Sequence, residues 1–174
     1  MDIPFQETST EQRWLQARRR HRTGLLTLAF IVFALDQLTK RWIESTLDLG
    51  QVWPVSSFFN LVHALNTGAA FSFLADQSGW QRWFLIALGV GISAALTISI
   101  VLHPLQKTAT SFALLIGGAM SNVADRLTRG AVVDWLDFYL MRWHWPAFNI
   151  ADMSIVVGAL LLCLHAHYGE QPTP

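Results

Sequence analysis

Residues 84–102 have the sequence FLIALGVGISAALTISIVL, an apolar run of 19 residues without a charged side chain. About 20 such residues are enough for a helix to cross a bilayer, because a helix rises about 1.5 Å per residue. Three further apolar runs carry polar residues at one end. The chain therefore predicts a membrane protein with four spans, at about 23–41, 82–102, 108–127 and 146–167.

The composition agrees with a membrane protein. The chain has 174 residues, of which 52% are hydrophobic and 14% charged, and a mean hydropathy of +0.35. Soluble domains contain about 25% charged residues. The formal net charge is zero, so no nucleic-acid partner is expected. Cys163 lies in an apolar run and is predicted to be buried filler. The six histidines have no metal-ligand spacing, so neither a metal nor another cofactor is predicted.

Charge and tryptophan predict how the chain sits in the membrane. Residues 1–22 form a basic arm before the first span, and 169–174 form a short tail. With the arm included, six cations lie on each side of the predicted membrane, so the count is balanced. The cluster of arginines before the first span then favours a cytoplasmic location for both termini. The first span lacks a small-x-small cleavage site and is predicted to stay uncleaved. Six tryptophans flank the opposite ends of the spans and predict an outer aromatic belt: Trp42, Trp80, Trp83, Trp135, Trp143 and Trp145.

The connection 43–79 is the largest predicted extramembrane piece and is too long for a structureless loop. Residues 51–55 and 58–62 are typical of short strands, and 68–73 could form a third. Residues 76–79 are typical of a turn into the second span. We therefore expect a small sheet lying on the outer membrane surface.

Two carboxylates lie where a membrane disfavours them. Asp152 is inside the fourth apolar run, and Asp134 follows the third. An ionisable residue at membrane depth costs roughly 2.5–3.5 kcal/mol on insertion scales, so such residues usually serve a function. Two carboxylates on separate elements can also perform acid–base chemistry. Asp137 follows in the same segment as Asp134, and spacing alone does not choose between them.

Further polar residues recur at helical spacing. Asp36 and Lys40 are four residues apart and can pair, either as an interfacial ion pair with a snorkelling lysine or as a brace for the site. Asn122, Asp125 and Arg126 form a polar face at the end of the third span. Arg126 is expected to keep the neighbouring Asp125 ionised, which makes Asp125 a brace rather than a proton donor.

Three shorter patterns complete the candidates. Asn149 and Asp152 lie three residues apart and share a polar helix face. The segment 66–68, Asn-Thr-Gly, is either a plain turn or a place where backbone amides hold an extended peptide. Gly117 and Ser121 have the small-xxx-small spacing that permits close helix packing.

Taken in order, these motifs resemble the bacterial lipoprotein signal peptidases (signal peptidase II). The resemblance covers roughly residues 24–165, and each motif alone is weak. The five motifs are Asp36-Gln-Leu-Thr-Lys40, Asn66-Thr-Gly-Ala-Ala-Phe71, Asn122-Val-Ala-Asp-Arg126, Val132-Val-Asp134-Trp and Phe148-Asn-Ile-Ala-Asp152.

The resemblance implies an all-α membrane fold, a bundle of four transmembrane helices with a short sheet and a short helix on the outer, periplasmic face. It implies an aspartyl endopeptidase of the bacterial inner membrane, expected as a monomer, that cuts a prolipoprotein just before a diacylglyceryl-modified cysteine. By the same resemblance Asp134 and Asp152 are the catalytic pair. The expected supporting residues, including Gly68 of the turn, are Asp36, Lys40, Asn66, Gly68, Asn122, Asp125, Arg126 and Asn149.

Two other classes compete with this interpretation. A small proton-coupled transporter could use Asp134 and Asp152 as a proton relay, but transporters often contain an internal repeat, and none is visible here. A non-enzymatic scaffold would leave the cost of intramembrane aspartates without a purpose.

Overall fold

A computed structural model of the chain describes residues 5–68 and 79–169. Four helices and four strands follow one another in the order α1, β1, β2, α2, α3, β3, β4, α4. The helices are α1 (Phe5–Thr46), α2 (Trp80–Leu102), α3 (Ala109–Thr128) and α4 (Ile150–Gly169). The strands are β1 (Val52–Pro54), β2 (Phe59–Asn66), β3 (Val132–Leu140) and β4 (Trp143–His144).

Within the described residues, three helices are long and apolar enough to cross a membrane: Thr10–Thr46, Trp80–Leu102 and Ile150–His167. Their polarity is reversed relative to a soluble bundle. In α2 the buried residues include Gln81 and Ser93, whereas Phe84 and Ile98 are 48% and 59% exposed. Large apolar side chains that face outward need a hydrocarbon environment. The chain is therefore a membrane protein.

Helix α3 occupies the centre and packs against α1, α2 and α4. Small residues allow the close approach. A Cβ on Gly117 would lie 2.5 Å from the Ala29 carbonyl oxygen of α1, and one on Gly118 would lie 2.5 Å from the Ala151 carbonyl oxygen of α4. The close packing predicted around Gly117 is confirmed. Because three helices surround α3, its polar residues meet protein rather than lipid.

The four strands form one antiparallel sheet in the order β1-β2-β3-β4. The two strands predicted in 51–55 and 58–62 are confirmed as β1 and β2. Sequence reasoning missed β3 and β4, which follow α3 and bring Asp134 into the sheet opposite Ala64. The possible third strand at 68–73 and the turn at 76–79 fall mainly in residues 69–78, which lie outside the described residues. The expected short helix is not found in 47–68, the described part of this connection.

Three further expectations need correction. Helix α1 begins at Phe5, so the described part of the basic arm continues the first span as one helix, and α4 begins only at Ile150. Cys163 is exposed on the outside of the bundle instead of buried. Trp135 is partly buried against Ile43, Leu47 and Val133 under the sheet, whereas the other five belt tryptophans are exposed.

Candidate functional site

Asp134 lies near the start of β3 and is only 3% exposed. Two amides donate hydrogen bonds to its carboxylate. Asn149 Nδ2 donates to Oδ1 at 2.7 Å, and Asn66 Nδ2 of β2 donates to Oδ2 at 3.1 Å. Asn66 is paired with Val132 in the ladder, so the sheet register places its side chain beside Asp134. Both carboxylate oxygens are thus held in a fixed orientation.

Asp152 lies in the first turn of α4, where Asn149 is the N-cap. The Asn149 side-chain oxygen accepts a hydrogen bond from the Asp152 backbone N–H at 2.9 Å, and Asp152 Oδ2 accepts one from the Asn149 N–H at 3.3 Å. This reciprocal arrangement is a capping box, with aspartate in place of the more usual glutamate. Asn149 and Asp152 were predicted to share a polar face within one helix. Instead, Asn149 precedes α4 and caps its first turn, which contains Asp152.

The Asn149 side chain connects the two aspartates. Its oxygen caps α4 next to Asp152, while its nitrogen donates to Asp134. From the other side, Asn122 Nδ2 of α3 donates to Asp152 Oδ1 at 2.9 Å. Asp134 and Asp152 therefore come together at the junction of β3, α3 and the start of α4.

Beneath the pair lies a completely buried ionic network centred on Lys40. Its ammonium is 2.6 Å from Asp36 Oδ2 and 2.8 Å from Asp125 Oδ2, and all three side chains are 0% exposed. It also donates to Asn122 Oδ1 at 2.9 Å. The predicted Asp36–Lys40 pair is confirmed, but the lysine does not snorkel to the surface. A buried charge needs such partners to offset its desolvation.

Each acidic residue of this network also holds the backbone beside one of the central carboxylates. Asp36 Oδ1 accepts a hydrogen bond at 2.8 Å from the backbone N–H of Ala151, the residue before Asp152. Asp125 Oδ2 accepts one at 3.2 Å from the N–H of Val133, the residue before Asp134. Lys40 thus connects two carboxylates that position the two chain segments of the site.

Among the described residues Arg126 forms no direct ion pair with Asp125, although their charges interact. Its guanidinium donates to the Gly68 carbonyl oxygen at 2.5 Å and to the Asn122 carbonyl oxygen, and Nε has no hydrogen-bond partner among the described residues. The cations that pair with Asp125 are Lys40 and Arg129, the latter at 2.7 Å. Arg126 therefore ties the predicted turn, through the buried Gly68, to α3.

Sequence reasoning missed several members of the network. Gln37 donates to Asp125 Oδ1 at 2.7 Å, and Ser121 donates to Asp36 Oδ2 at 2.7 Å. Arg129 forms a bidentate salt bridge with Glu44, and this contact joins the C-terminal ends of α3 and α1. The i, i+4 spacing of Asp125 and Arg129 could have predicted their ion pair from the sequence.

The structure separates the two aspartates of β3 that spacing left unresolved. Asp137 accepts hydrogen bonds from Asn60 Nδ2 at 2.8 Å and contacts His144 Nδ1 at 2.9 Å. These partners belong to the sheet and not to the Lys40 network. Of these two aspartates, only Asp134 is hydrogen-bonded to Asn149, the residue that also caps the helix turn bearing Asp152.

Burial and charge act together on Asp134. Desolvation, followed by the nearby negative charge of Asp152, raises the pKa of Asp134 from 3.8 to about 7, against the opposing hydrogen bonds from Asn66 and Asn149. The Asp134 carboxyl can therefore hold a proton near neutral pH. Two carboxylates that interact in this way titrate as a pair.

Two cavities adjoin the pair, and both are lined mainly by apolar side chains. A cavity of about 410 Å³ lies between Trp145, Met153 and Val156, and one of about 290 Å³ lies between α2, α3 and α4. Asn66 and Asp152 line both cavities. Within the described residues no group of three or more His, Cys, Asp or Glu side chains is placed to hold a metal ion. The site can thus present the Asp152 carboxyl to a substrate with apolar parts, while Asp134 is buried behind it.

The fold and site define a membrane protein whose buried polar centre lies between a helix bundle and a small sheet. The sequence profile of Signal peptidase (SPase) II matches residues 28–168. Two proteins named lipoprotein signal peptidase are similar: one from Paraburkholderia phytofirmans, 51% identical over 80% of this chain and 81% of the relative, and one from Yersinia pseudotuberculosis, 47% identical over 80% and 85%.

The fold is similar to two solved structures described as bacterial membrane enzymes. One matches with a TM-score of 0.74 and 27% identity over 87% of this chain and 94% of the other. The second matches with a TM-score of 0.72 and 28% identity over 86% and 95%. The chain belongs to the signal peptidase II family, and it is therefore a membrane protease that processes lipoproteins. This membership favours the peptidase over the transporter and the scaffold.

Proposed function

We propose that the chain is an aspartyl endopeptidase that cleaves a prolipoprotein just before its diacylglyceryl-modified cysteine, with Asp134 and Asp152 as the catalytic pair. The observation that carries this proposal is the shared Asn149, which donates to Asp134 and caps the helix turn that bears Asp152. The raised pKa of Asp134 supports a pair that keeps one proton near pH 7.

The chemistry follows from a pair that carries one proton. The ionised carboxylate removes a proton from a water molecule, and that water attacks the scissile carbonyl carbon. The protonated carboxyl donates a hydrogen bond to the carbonyl oxygen as negative charge develops there, and a proton then passes to the leaving amine. The reaction needs neither a metal nor a covalent intermediate. Lys40 and its two carboxylates act by positioning the backbone, at a distance from the substrate.

Specificity for a lipidated substrate has a physical basis in the same place. Acyl chains buried in the bilayer contribute about 0.8 kcal/mol per CH₂ and hold the modified cysteine near the membrane surface. The apolar cavities beside Asp152 suit the lipid and the signal peptide. Arg126 and Gly68 support the site from the side of β2.

We further propose that α3 is the fourth transmembrane helix. Its 20 residues span about 30 Å, and α1, α2 and α4 shield its polar residues from lipid. With four spans both termini lie on the same side, and the arginines of the N-terminal helix favour the cytoplasmic side of a bacterial inner membrane. The sheet and the carboxylate pair then lie near the periplasmic surface.

The experiment is cleavage of a synthetic substrate by the detergent-purified full chain. The substrate carries diacylglyceryl-cysteine, and a matched peptide carries unmodified cysteine. We expect cleavage only of the lipidated peptide, with a product that begins at the modified cysteine, as identified by mass spectrometry. Equal cleavage of the unmodified peptide, or a product with another first residue, would contradict the proposal.

A further inference from the structure

A cavity at the opposite end of the bundle has no part in the site described above. It has a volume of about 520 Å³ and lies where the N-terminal part of α1 meets the C-terminal end of α2. Three arginines and two glutamines line it together with three apolar residues. Its principal lining residues are Arg18, Arg19, Arg22, Leu15, Val101 and Pro104.

The arginines lie on one face of α1 because positions 15, 18, 19 and 22 follow the helical repeat. Arg18 donates to the Leu102 carbonyl oxygen at 2.6 Å and lies 4.6 Å from the centre of the Trp14 ring. Within the part of the chain that the structure describes, no carboxylate forms an ion pair with Arg19 or Arg22. The cavity therefore concentrates positive charge that the described protein residues do not neutralise.

The depth of the cavity identifies the matching partner. It begins at the last residues of the α2 span, with Val101 in its wall, and extends along α1 from Arg22 to Gln12. Lipid phosphates lie at this depth, immediately outside the hydrocarbon. The apolar wall can contact glycerol and the first acyl carbons, while guanidinium groups bind phosphate in a forked geometry.

We propose that this cavity binds the headgroup of one anionic phospholipid from the adjoining leaflet. Arg19 and Arg22 bind the phosphate, while Arg18 caps the C-terminal end of α2. The bound lipid joins the N-terminal helix to the end of α2. The arginines precede residue 28, where the match to the family profile begins.

The test is native mass spectrometry of the full chain in detergent, titrated with phosphatidylglycerol or with phosphatidylcholine of the same acyl chains. Inorganic phosphate is a third arm that separates a lipid site from a simple anion site. The pocket variant is Arg19→Gln with Arg22→Gln. The matched control is Arg13→Gln with Arg20→Gln, which removes the same charge from exposed positions that do not line the cavity.

We expect one phosphatidylglycerol to be retained by the wild type and by the control. The pocket variant should bind it roughly tenfold more weakly, as expected from the loss of two cations near an anionic headgroup. Thermal unfolding in lipid-free detergent should be equal for both variants, which shows that each is folded. Equal weakening in both variants, equal retention of phosphatidylcholine, or competition by millimolar inorganic phosphate would overturn the proposal.

Discussion

Asn149 donates a hydrogen bond to Asp134 at 2.7 Å, although Asn149 precedes α4 and Asp134 belongs to β3. The same side chain caps the helix that carries Asp152. One amide therefore sets both the start of a helix and the orientation of a carboxylate on another element. Its two functions can be separated by substitution.

Asn149→Ser keeps an N-cap oxygen but is too short to donate to Asp134. We expect at least about a tenfold loss of cleavage, since a charge-assisted hydrogen bond contributes roughly 1.5–3 kcal/mol, and a loss of stability because the buried Asp134 and Val133 oxygens lose this donor. Asn149→Ala should lose the same activity and about 1 kcal/mol more stability than Asn149→Ser, because the cap is also removed. Cleavage rates and thermal unfolding in one detergent measure both. Full activity in Asn149→Ser would show that the contact with Asp134 is dispensable.

Lys40→Met should be strongly destabilising. It leaves Asp36 and Asp125 buried and close together without their shared cation, a change that typically costs about 3–5 kcal/mol. Lys107→Met removes the same charge from an exposed position and serves as the control. Chemical or thermal unfolding of both variants should show a large decrease only for Lys40→Met. A decrease of equal size in both would mean that the network contributes little.

Gly118→Ala should impair cleavage without altering any polar group. Its Cβ would lie 2.5 Å from the Ala151 carbonyl oxygen and would displace the first turn of α4, which bears Asp152. Overpacking of this kind costs about 1–3 kcal/mol. Gly91→Ala is the matched control, because a Cβ there meets nothing within 4 Å. If the two variants cleave equally well, the position of Asp152 does not depend on this helix contact.

Stability and activity should both depend on the pKa of Asp134, which burial raises to about 7. Because the folded state binds this proton more tightly than the unfolded state, its stabilising effect is complete below about pH 4 and is lost as pH rises through about 7. Asp134→Asn should therefore gain roughly 1–4 kcal/mol relative to the wild type between pH 4 and pH 8. Wild-type cleavage should also fall above about pH 7. If the free energy of unfolding changes equally with pH in the wild type and in Asp134→Asn, the pKa of Asp134 is not raised.

Sequence patterns predicted the helices and strands whose formation depends on residues close together in the chain. The uncharged run 84–102 is a helix, and β1 and β2 lie where β-branched and aromatic residues cluster. Strand β3 was missed because its pairing with β2 joins residues far apart in sequence, such as Ala64 and Asp134. Its segment also contains two aspartates, which are uncommon in strands.

The supporting residues were predicted better than their contacts. Asp125 and Arg126 are adjacent in sequence, but consecutive residues on a helix point in different directions, so Arg129 at i+4 became the partner. The burial of Lys40 could not be predicted from α1 alone, because Asn122 and Asp125 of α3 supply its other contacts. Resemblance to a family selected Asp134 over Asp137, and the shared Asn149 gives that choice a structural reason.

Cleavage of a diacylglyceryl-modified prolipoprotein by Asp134→Asn and Asp152→Asn is the most direct test of the catalytic pair. Each substitution preserves shape and removes one ionisable carboxyl, so neither variant can both activate water and polarise the carbonyl. The measurement is processing in membranes, with the amount of each protein determined by immunoblot and Asp137→Asn as the control. We predict no processing by either variant and substantial processing by Asp137→Asn. Substantial processing by Asp134→Asn or Asp152→Asn at equal protein amounts would contradict a catalytic pair.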